Sequence, residues 1–199
     1  MPVKPRHREI ARIIANAKGS GRVLDLGCGE GKILGMLPAG YEKYGVDISK
    51  NALKLADNKD VILRVCDLNR EFPPDKGFDF IICSEVLEHL ENPYGVLKGS
   101  REALAEGGLF LATIPNVTHW KHVSSMLNGR FPDYDRTHVH FWDLLGFIRL
   151  LQDNGFRVIE HYPTDFYPYV FGKAYRWLKS DRISRLFGGQ FLFVCGLKP

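Results

Sequence analysis

Arg22-Val23-Leu24-Asp25-Leu26-Gly27-Cys28-Gly29-Glu30-Gly31 is where the pattern of the chain becomes readable. Val23, Leu24 and Leu26 make a short apolar run of the kind that forms a buried strand, and three glycines follow at alternate positions. Ile33, Leu34, Met36 and Leu37 then point to a helix that ends at Pro38. A strand, a glycine turn and a helix N-terminus bring backbone N–H groups up to a ligand, because glycine has no Cβ to hold it away. The spacing is Gly-x-Gly-x-Gly and not the Gly-x-Gly-x-x-Gly of dinucleotide folds, and a lone glycine loop carries little weight. Its context adds more. Tyr44-Gly-Val-Asp-Ile-Ser49 is a second strand-like run, and its Asp47 falls 20 residues after Gly27. That is close to the offset at which an acid accepts from ribose hydroxyls.

Outward from this stretch the chain alternates strand and helix. Strands are expected at 22–26, 42–47, 61–65, 78–83, 108–114, 156–162 and 190–196, and helices at 31–37, 49–58, 93–105 and 141–154. Residues 4–18 read as a basic amphipathic lid helix with Ile10, Ile13, Ile14 and Ala17 on one face, stopped by Lys18-Gly-Ser-Gly21. Alternation of this kind calls for an α/β fold, a mostly parallel sheet with helices on both faces.

Composition narrows the class. A chain of 199 residues with 45% hydrophobic content supports one sizeable core, hence a single domain over 1–199. The net charge of +4 is spread without a basic cluster, so no nucleic-acid partner is expected. Cys28, Cys66, Cys83 and Cys195 sit in or beside strand-like runs without Cys-x-x-Cys pairing, which reads as buried reduced thiols in a cytoplasmic protein. No apolar run approaches the ~18 residues of a membrane span, and the start lacks a signal-peptide core.

Four segments in order carry a resemblance: Val23-Leu-Asp-Leu-Gly-Cys-Gly-Glu-Gly31, Gly45-Val-Asp-Ile-Ser49, Cys66-Asp-Leu68 and Phe78-Asp-Phe-Ile-Ile-Cys-Ser-Glu-Val-Leu-Glu-His-Leu90. Together they resemble a class I S-adenosylmethionine-dependent methyltransferase of the small stand-alone type, over roughly residues 20–115. The resemblance implies a Rossmann-like doubly wound sheet of seven strands, mostly parallel, with the last strand antiparallel; Gln190–Gly196 suits that place. It also implies S-adenosylmethionine as the methyl donor. Gly27 and Gly29 would then lie under the aminoacyl part of the donor, with Asp25 fixing the loop or reaching the ammonium through water. Asp47 would accept from the ribose, Asp67 from the adenine amino group, and Ile48 and Leu68 would sandwich the adenine. Ser84 and Glu85, at the end of the fourth strand, would lie by the sulfonium. Each acid has a plainer use as a turn or helix cap, Asp47-Ile-Ser49 above all.

Two stretches are expected on the substrate side. Residues 115–140 hold four of the seven histidines among aromatic and acidic residues, a composition that suits a binding loop on a rigid sheet. His138 is the first candidate for a base that takes the acceptor proton, followed by His140 and His89. A metal on His138, His140 and Asp135 is weighed and set aside, since a third ligand is unclear and methyl transfer needs none. Residues 163–188 are dense in aromatic and basic residues and read as a wall of the active site or a homodimer contact; over 166–187 they also suit a peripheral membrane surface. The expected acceptor is a small molecule or a glycan, methylated on oxygen before nitrogen. Two rival readings stand. Pro115-Asn-Val-Thr-His-Trp120 with Gly129-Arg-Phe-Pro132 resembles methionine-biosynthesis W-type proteins, which keep the fold and partner an acyltransferase. A nicotinamide-dependent oxidoreductase is disfavoured by the glycine spacing and by Asp67.

Overall fold

In the computed structural model, residues 2–54, 60–130, 135–166 and 186–198 are described. The elements run α1 (Pro5–Ala17), β1 (Gly21–Leu26), α2 (Lys32–Met36), β2 (Tyr41–Asp47), α3 (Lys50–Lys54), β3 (Val61–Val65), β4 (Phe78–Ser84), a 3-10 turn (Leu87–His89), α4 (Pro93–Ala103), β5 (Leu104–Pro115), α5 (Trp120–Leu127), α6 (Leu144–Asp153), β6 (Phe156–Phe166) and β7 (Gly188–Leu197). The seven strands form one sheet in the order β3-β2-β1-β4-β5-β7-β6. All pair parallel except β7, which runs antiparallel to both β5 and β6. This is the expected Rossmann-like doubly wound sheet with its antiparallel last strand.

The reversal of strand order falls between β1 and β4, so the loops after those two strands diverge and leave a crevice at the carboxyl edge. Both faces of the sheet are covered, as parallel sheets require. On one face Ile10, Ile14, Ile33 and Leu34 from α1 and α2 pack on Val23, Phe80, Ile82 and Leu111. On the other, Val96 and Leu97 of α4 and Phe147 and Leu151 of α6 pack on Leu24, Ile81, Phe110 and Phe193. The helix starts are capped as their sequences allow. Asn92 accepts from the Gly95 N–H at 3.4 Å with Pro93 next in the chain, and Asp143 accepts from the Gly146 N–H at 2.7 Å.

Three expectations need correction. In α1 the buried face is Arg6, Ile10, Ala11 and Ile14, whereas Ala17 is exposed; a buried arginine replaces a turn of the apolar stripe. The helix expected at 49–58 is present as α3 over Lys50–Lys54, and 55–58 of that range lie outside the described residues. The 115–140 segment is not wholly loop, because α5 occupies Trp120–Leu127. That helix buries none of its residues, and Trp120, Val123, Met126 and Leu127 face solvent, so no core-facing stripe announced it. The insertion placed at 163–188 is shorter. β6 and β7 stay paired out to Thr164–Gln190 and Phe166–Gly188, and Pro163 is tolerated because β6 is an edge strand. Residues 167–185, which carry most of the expected wall, dimer or membrane surface, lie outside the described residues. Among the described ones no helix is long and apolar enough to cross a membrane.

Phe193 sits at the centre of β7 with no exposed surface, its ring 4.8 Å from that of Phe147. Truncation leaves a cavity between sheet and helix, so Phe193→Ala should destabilise the fold by about 3–5 kcal/mol. Urea unfolding followed by circular dichroism measures it, and a loss below about 1 kcal/mol would contradict this packing.

Candidate active site

The glycine loop closes the carboxyl end of β1 against β2. The Gly27 and Cys28 N–H groups donate to the Val46 carbonyl at 2.8 and 3.0 Å, and the Gly29 N–H donates to Asp47 Oδ2 at 2.8 Å. Asp47 Oδ1 accepts from Ser49 N–H at 2.8 Å, and the Ser49 hydroxyl in turn accepts from Ala52 N–H at 3.2 Å. Capping of α3 thus falls to Ser49. Asp47 holds the loop, and each of its oxygens keeps a lone pair for a further donor.

The two glycines do different work. A Cβ on Gly27 would meet the Val86 side chain at 2.4 Å, whereas one on Gly29 would meet nothing within 4 Å. Gly27 is required by packing against the turn after β4; Gly29 faces open space. Both hold positive φ, 71° and 54°, which glycine adopts without strain.

Around this loop lie the other expected donor-binding residues. Asp25 is buried at the core end of the loop, and burial, then the charge of Asp47, pushes its pKa up to about 8. Asp67 lies two residues beyond β3, and the N–H of the intervening Cys66 donates to the Asp47 carbonyl at 3.1 Å, so the two acids sit at or just past adjoining strand ends. Its carboxylate accepts from Asn69 N–H at 3.0 Å and lies 3.3 Å from Arg70 Nε. Ile48 is 65% exposed and Leu68 half-buried against the core. An apolar side chain left in solvent beside Asp47 is the platform a flat ring would cover. An open glycine, a carboxylate with spare lone pairs and an uncovered apolar residue on neighbouring strand ends fit the aminoacyl, ribose and adenine parts of S-adenosylmethionine in that order.

Ser84 and Glu85 end β4 at the reversal of strand order. Ser84 Oγ lies 2.9 Å from Thr113 Oγ1, and the Thr113 hydroxyl donates to Glu85 Oε1 at 3.1 Å. Glu85 holds φ 56°, a conformation costly for a residue with a side chain. Arg6 reaches over from α1, 3.9 Å from Glu85 Oε2, and is bonded to Asp165, which also has positive φ (52°). Two strained acids from distant parts of the chain are therefore joined through one buried arginine. Burial nevertheless raises the Glu85 pKa, against the pull of Arg6.

The three candidate histidines come together beyond the ends of β4 and β5. His89 and His138 stand edge to face, ring centroids 4.6 Å apart, and burial followed by the charge of His89 lowers the His138 pKa. His140 stacks on Trp142 with centroids 5.0 Å apart, and its Nε2 is buried without a hydrogen-bond partner among the described residues. A narrow cleft here is lined by Glu88, Ile114, Pro115, Val117, His138, His140, Phe141 and Trp142. Asp135, once weighed as a metal ligand, turns instead to the backbone N–H and hydroxyl of Thr137. Sequence reasoning overlooked Glu88, Arg6 and Thr137. Only Glu88 left a trace, a charge within the otherwise apolar Val86-Leu-Glu-His-Leu90.

The fold and this site define a class I methyltransferase. The family model described as a methyltransferase domain matches residues 4–161, and the chain belongs to that family, whose methyl donor is S-adenosylmethionine. Among curated proteins, it is 29% identical over 161 residues to a ubiquinone biosynthesis O-methyltransferase of Ralstonia nicotianae, covering 71% of this chain and 67% of that one. A protein of the same name from Idiomarina loihiensis is 31% identical, over 50% of this chain and 45% of its own length. The chain therefore spans about half to two thirds of the length of these relatives. Among solved structures, the methyltransferase in complex with the Trm112 activator of Haloferax volcanii superposes with TM-score 0.70 at 20% identity, covering 98% of this chain and 91% of that chain. An S-adenosylmethionine-dependent methyltransferase of Archaeoglobus fulgidus gives 0.69 at 21%, covering 96% and 92%. These two likenesses establish the fold. The nicotinamide-dependent alternative falls with the family assignment.

Two predictions follow from the loop. Gly29→Val should still fold, at the cost of backbone strain at φ 54°, since a Cβ there meets no protein atom within 4 Å, yet lose measurable adenosylhomocysteine binding by calorimetry; Gly27→Ala adds a clash with Val86 to the same strain and should lower the melting temperature more. A Gly29→Val protein that binds like wild type would remove the loop from the donor site. The second concerns pH. Asp25 keeps its proton in the folded state up to about pH 8 but loses it near the ordinary aspartate value of 3.8 when unfolded, so its contribution to stability falls as pH rises across that window. Asp25→Asn has no such dependence. The melting temperature of the ligand-free variant, relative to wild type, should climb from pH 5 to pH 8 and then level off; a difference constant with pH would refute the burial account.

Proposed function

We propose that the chain transfers the methyl group of S-adenosylmethionine to a hydroxyl oxygen of a small molecule or glycan, with His140 taking the acceptor proton. One observation carries this reading: an imidazole nitrogen without a partner, buried in a narrow, largely apolar cleft at the carboxyl edge of the sheet. When bound, S-adenosylmethionine supplies an electrophilic methyl group whose C–S bond breaks with the electron pair passing to sulfur.

The protein's part is alignment and exclusion of water. Ile114, Pro115, Val117 and Trp142 keep water from the acceptor, and stacking on Trp142 fixes the plane of His140. A hydroxyl must shed its proton as its oxygen attacks, and imidazole accepts protons near neutral pH. His138 and His89 are poorer bases by position, since each ring abuts the other. The relatives named as ubiquinone biosynthesis O-methyltransferases support oxygen over nitrogen as the attacked atom. Donor binding falls to Gly29, Asp47, Asp67, Ile48 and Leu68, with Asp25, Ser84 and Glu85 shaping the floor of the site.

The test begins with a homocysteine-release screen of phenols, hydroxylated sugars and lipid-linked glycans. With an acceptor in hand, His140→Ala should keep adenosylhomocysteine affinity and lower turnover by roughly 10²–10⁴-fold. Near-normal turnover at neutral pH would end the assignment of the base. Tight adenosylhomocysteine binding with no acceptor consumed in any class would favour the reading as a methyltransferase-fold partner of another enzyme.

A further inference from the structure

Glu88, His89 and His138 have no role in the account so far, yet a donor atom from each lies within 4.8 Å of the other two. Glu88 is 1% exposed, and neither carboxylate oxygen has a hydrogen-bond partner among the described residues. The backbone N–H groups of Val139 and His140 turn to its carbonyl instead, at 2.9 and 3.2 Å. Arg6 pairs with Glu85 and Asp165, and no ion pair to Glu88 is found among the described residues. A carboxylate buried in this way is expensive unless it is protonated or meets a cation. Burial, then the charge of Glu85, pushes its pKa up to about 9.

His89 is arranged to supply a lone pair. The Thr137 hydroxyl has one hydrogen and donates it to Asp135 Oδ1 at 2.8 Å. At 2.9 Å from His89 Nδ1 that hydroxyl can then only accept, and the Thr137 carbonyl, 3.3 Å from the same nitrogen, accepts as well. The proton of neutral His89 is therefore on Nδ1 and its lone pair on Nε2. Metal-ligating histidines are oriented by this kind of outer hydrogen bond. The next residue along the chain, His138, brings the second imidazole edge to face with the first. Neutral imidazole is the form that binds metal.

We propose that Glu88, His89 and His138 bind one divalent cation, with Thr137 and Asp135 orienting His89, and that the cation's open positions face the acceptor cleft. Two imidazoles and a carboxylate suit a cation of the Mn²⁺ to Zn²⁺ series better than Ca²⁺, which takes oxygen ligands. Glu88 and His138 both line the cleft. An acceptor hydroxyl coordinated there is acidified, and its proton leaves through His140 to solvent as the oxygen gains the methyl group. The catalytic half of this inference rests on the O-methylation reading; the cation site does not.

The experiment uses the full chain, stripped with chelator and titrated with Co²⁺ alone, read by visible absorption, with Mn²⁺ and electron paramagnetic resonance as a second probe. One saturable site per chain is expected. Glu88→Gln, His89→Gln and His138→Gln should each weaken Co²⁺ binding at least tenfold, and Thr137→Val 10–100-fold, whereas His122→Gln should not. Adenosylhomocysteine calorimetry on the same metal-free samples establishes that each variant is folded and tests the methyltransferase reading separately. Should Glu88→Gln fail to fold, His89→Gln and Thr137→Val carry the comparison. The site is overturned if no saturable uptake is seen, or if uptake survives the Glu88, His89 and His138 changes. Saturable uptake lost on those changes, in a chain that fails to bind adenosylhomocysteine, would keep the cation site and discard its catalytic use.

Discussion

A single hydrogen bond, from the Gly29 N–H to the Asp47 carboxylate at 2.8 Å, holds together the end of the sheet on which the candidate site is built. The crossover through α2 returns the chain to pair parallel beside β1, but pairing alone leaves the loop after Leu26 free to wander. Asp47 pins it, and the Val46 carbonyl, accepting from Gly27 and Cys28, fixes its entry. With the loop held at both ends, Gly29 keeps a positive φ and its bare face stays turned to open space. The bond from Cys66 N–H to the Asp47 carbonyl extends the same closure to β3. Three strand ends thus present their acids at fixed spacing, which a flexible loop would not do.

This part of the molecule was legible in sequence because each element obeys a local rule. Apolar runs bounded by glycine and asparagine marked the strands, and the alternation of strand and helix dictated a parallel sheet with two covered faces. The acids Asp47 and Asp67 could be placed because they end strands, where the backbone itself determines position. What sequence left out depends on contacts between distant segments. Arg6 looks like any basic residue on an amphipathic helix until Glu85 and Asp165 are brought to it. Thr137 matters through its place between Asp135 and His89, 48 residues earlier in the chain. The helix α5 was missed for the opposite reason: it buries none of its residues, so no periodic stripe was needed to form it.

The histidines illustrate the same limit more finely. The place of His89 after the fourth strand and the composition of the 115–140 stretch made His89, His138 and His140 candidates, and the structure does bring them to one end of the sheet. It also separates them by environment. His89 and His138 form a pair beside a buried carboxylate, while His140 stands against Trp142 with a nitrogen turned inward. The sequence puts His138 first because it lies in an aromatic, acid-rich loop that resembles a recurrent segment of the family. The proposal of His140 turns instead on ring neighbours, which are not visible in sequence.

Charge gives these pieces a common logic. Asp25, Glu85 and Glu88 all lie at the carboxyl edge of the sheet, and burial raises the pKa of each. Placing three acids where water is scarce costs stability, and Arg6 offsets part of that cost, chiefly at Glu85. Such a cost is tolerable in a binding site if the ligand brings positive charge, because the energy withheld from folding is returned as affinity. S-adenosylmethionine carries both a sulfonium and an ammonium, which suits Asp25 and Glu85 beside the glycine loop. Glu88 lies on the far side, toward the histidines, where the donor's charges would be shared with Glu85. Neither of its carboxylate oxygens has a hydrogen-bond partner among the described residues, and an apolar side chain of similar volume there would avoid the penalty. A carboxylate at that position is therefore best understood as the place for a second cation.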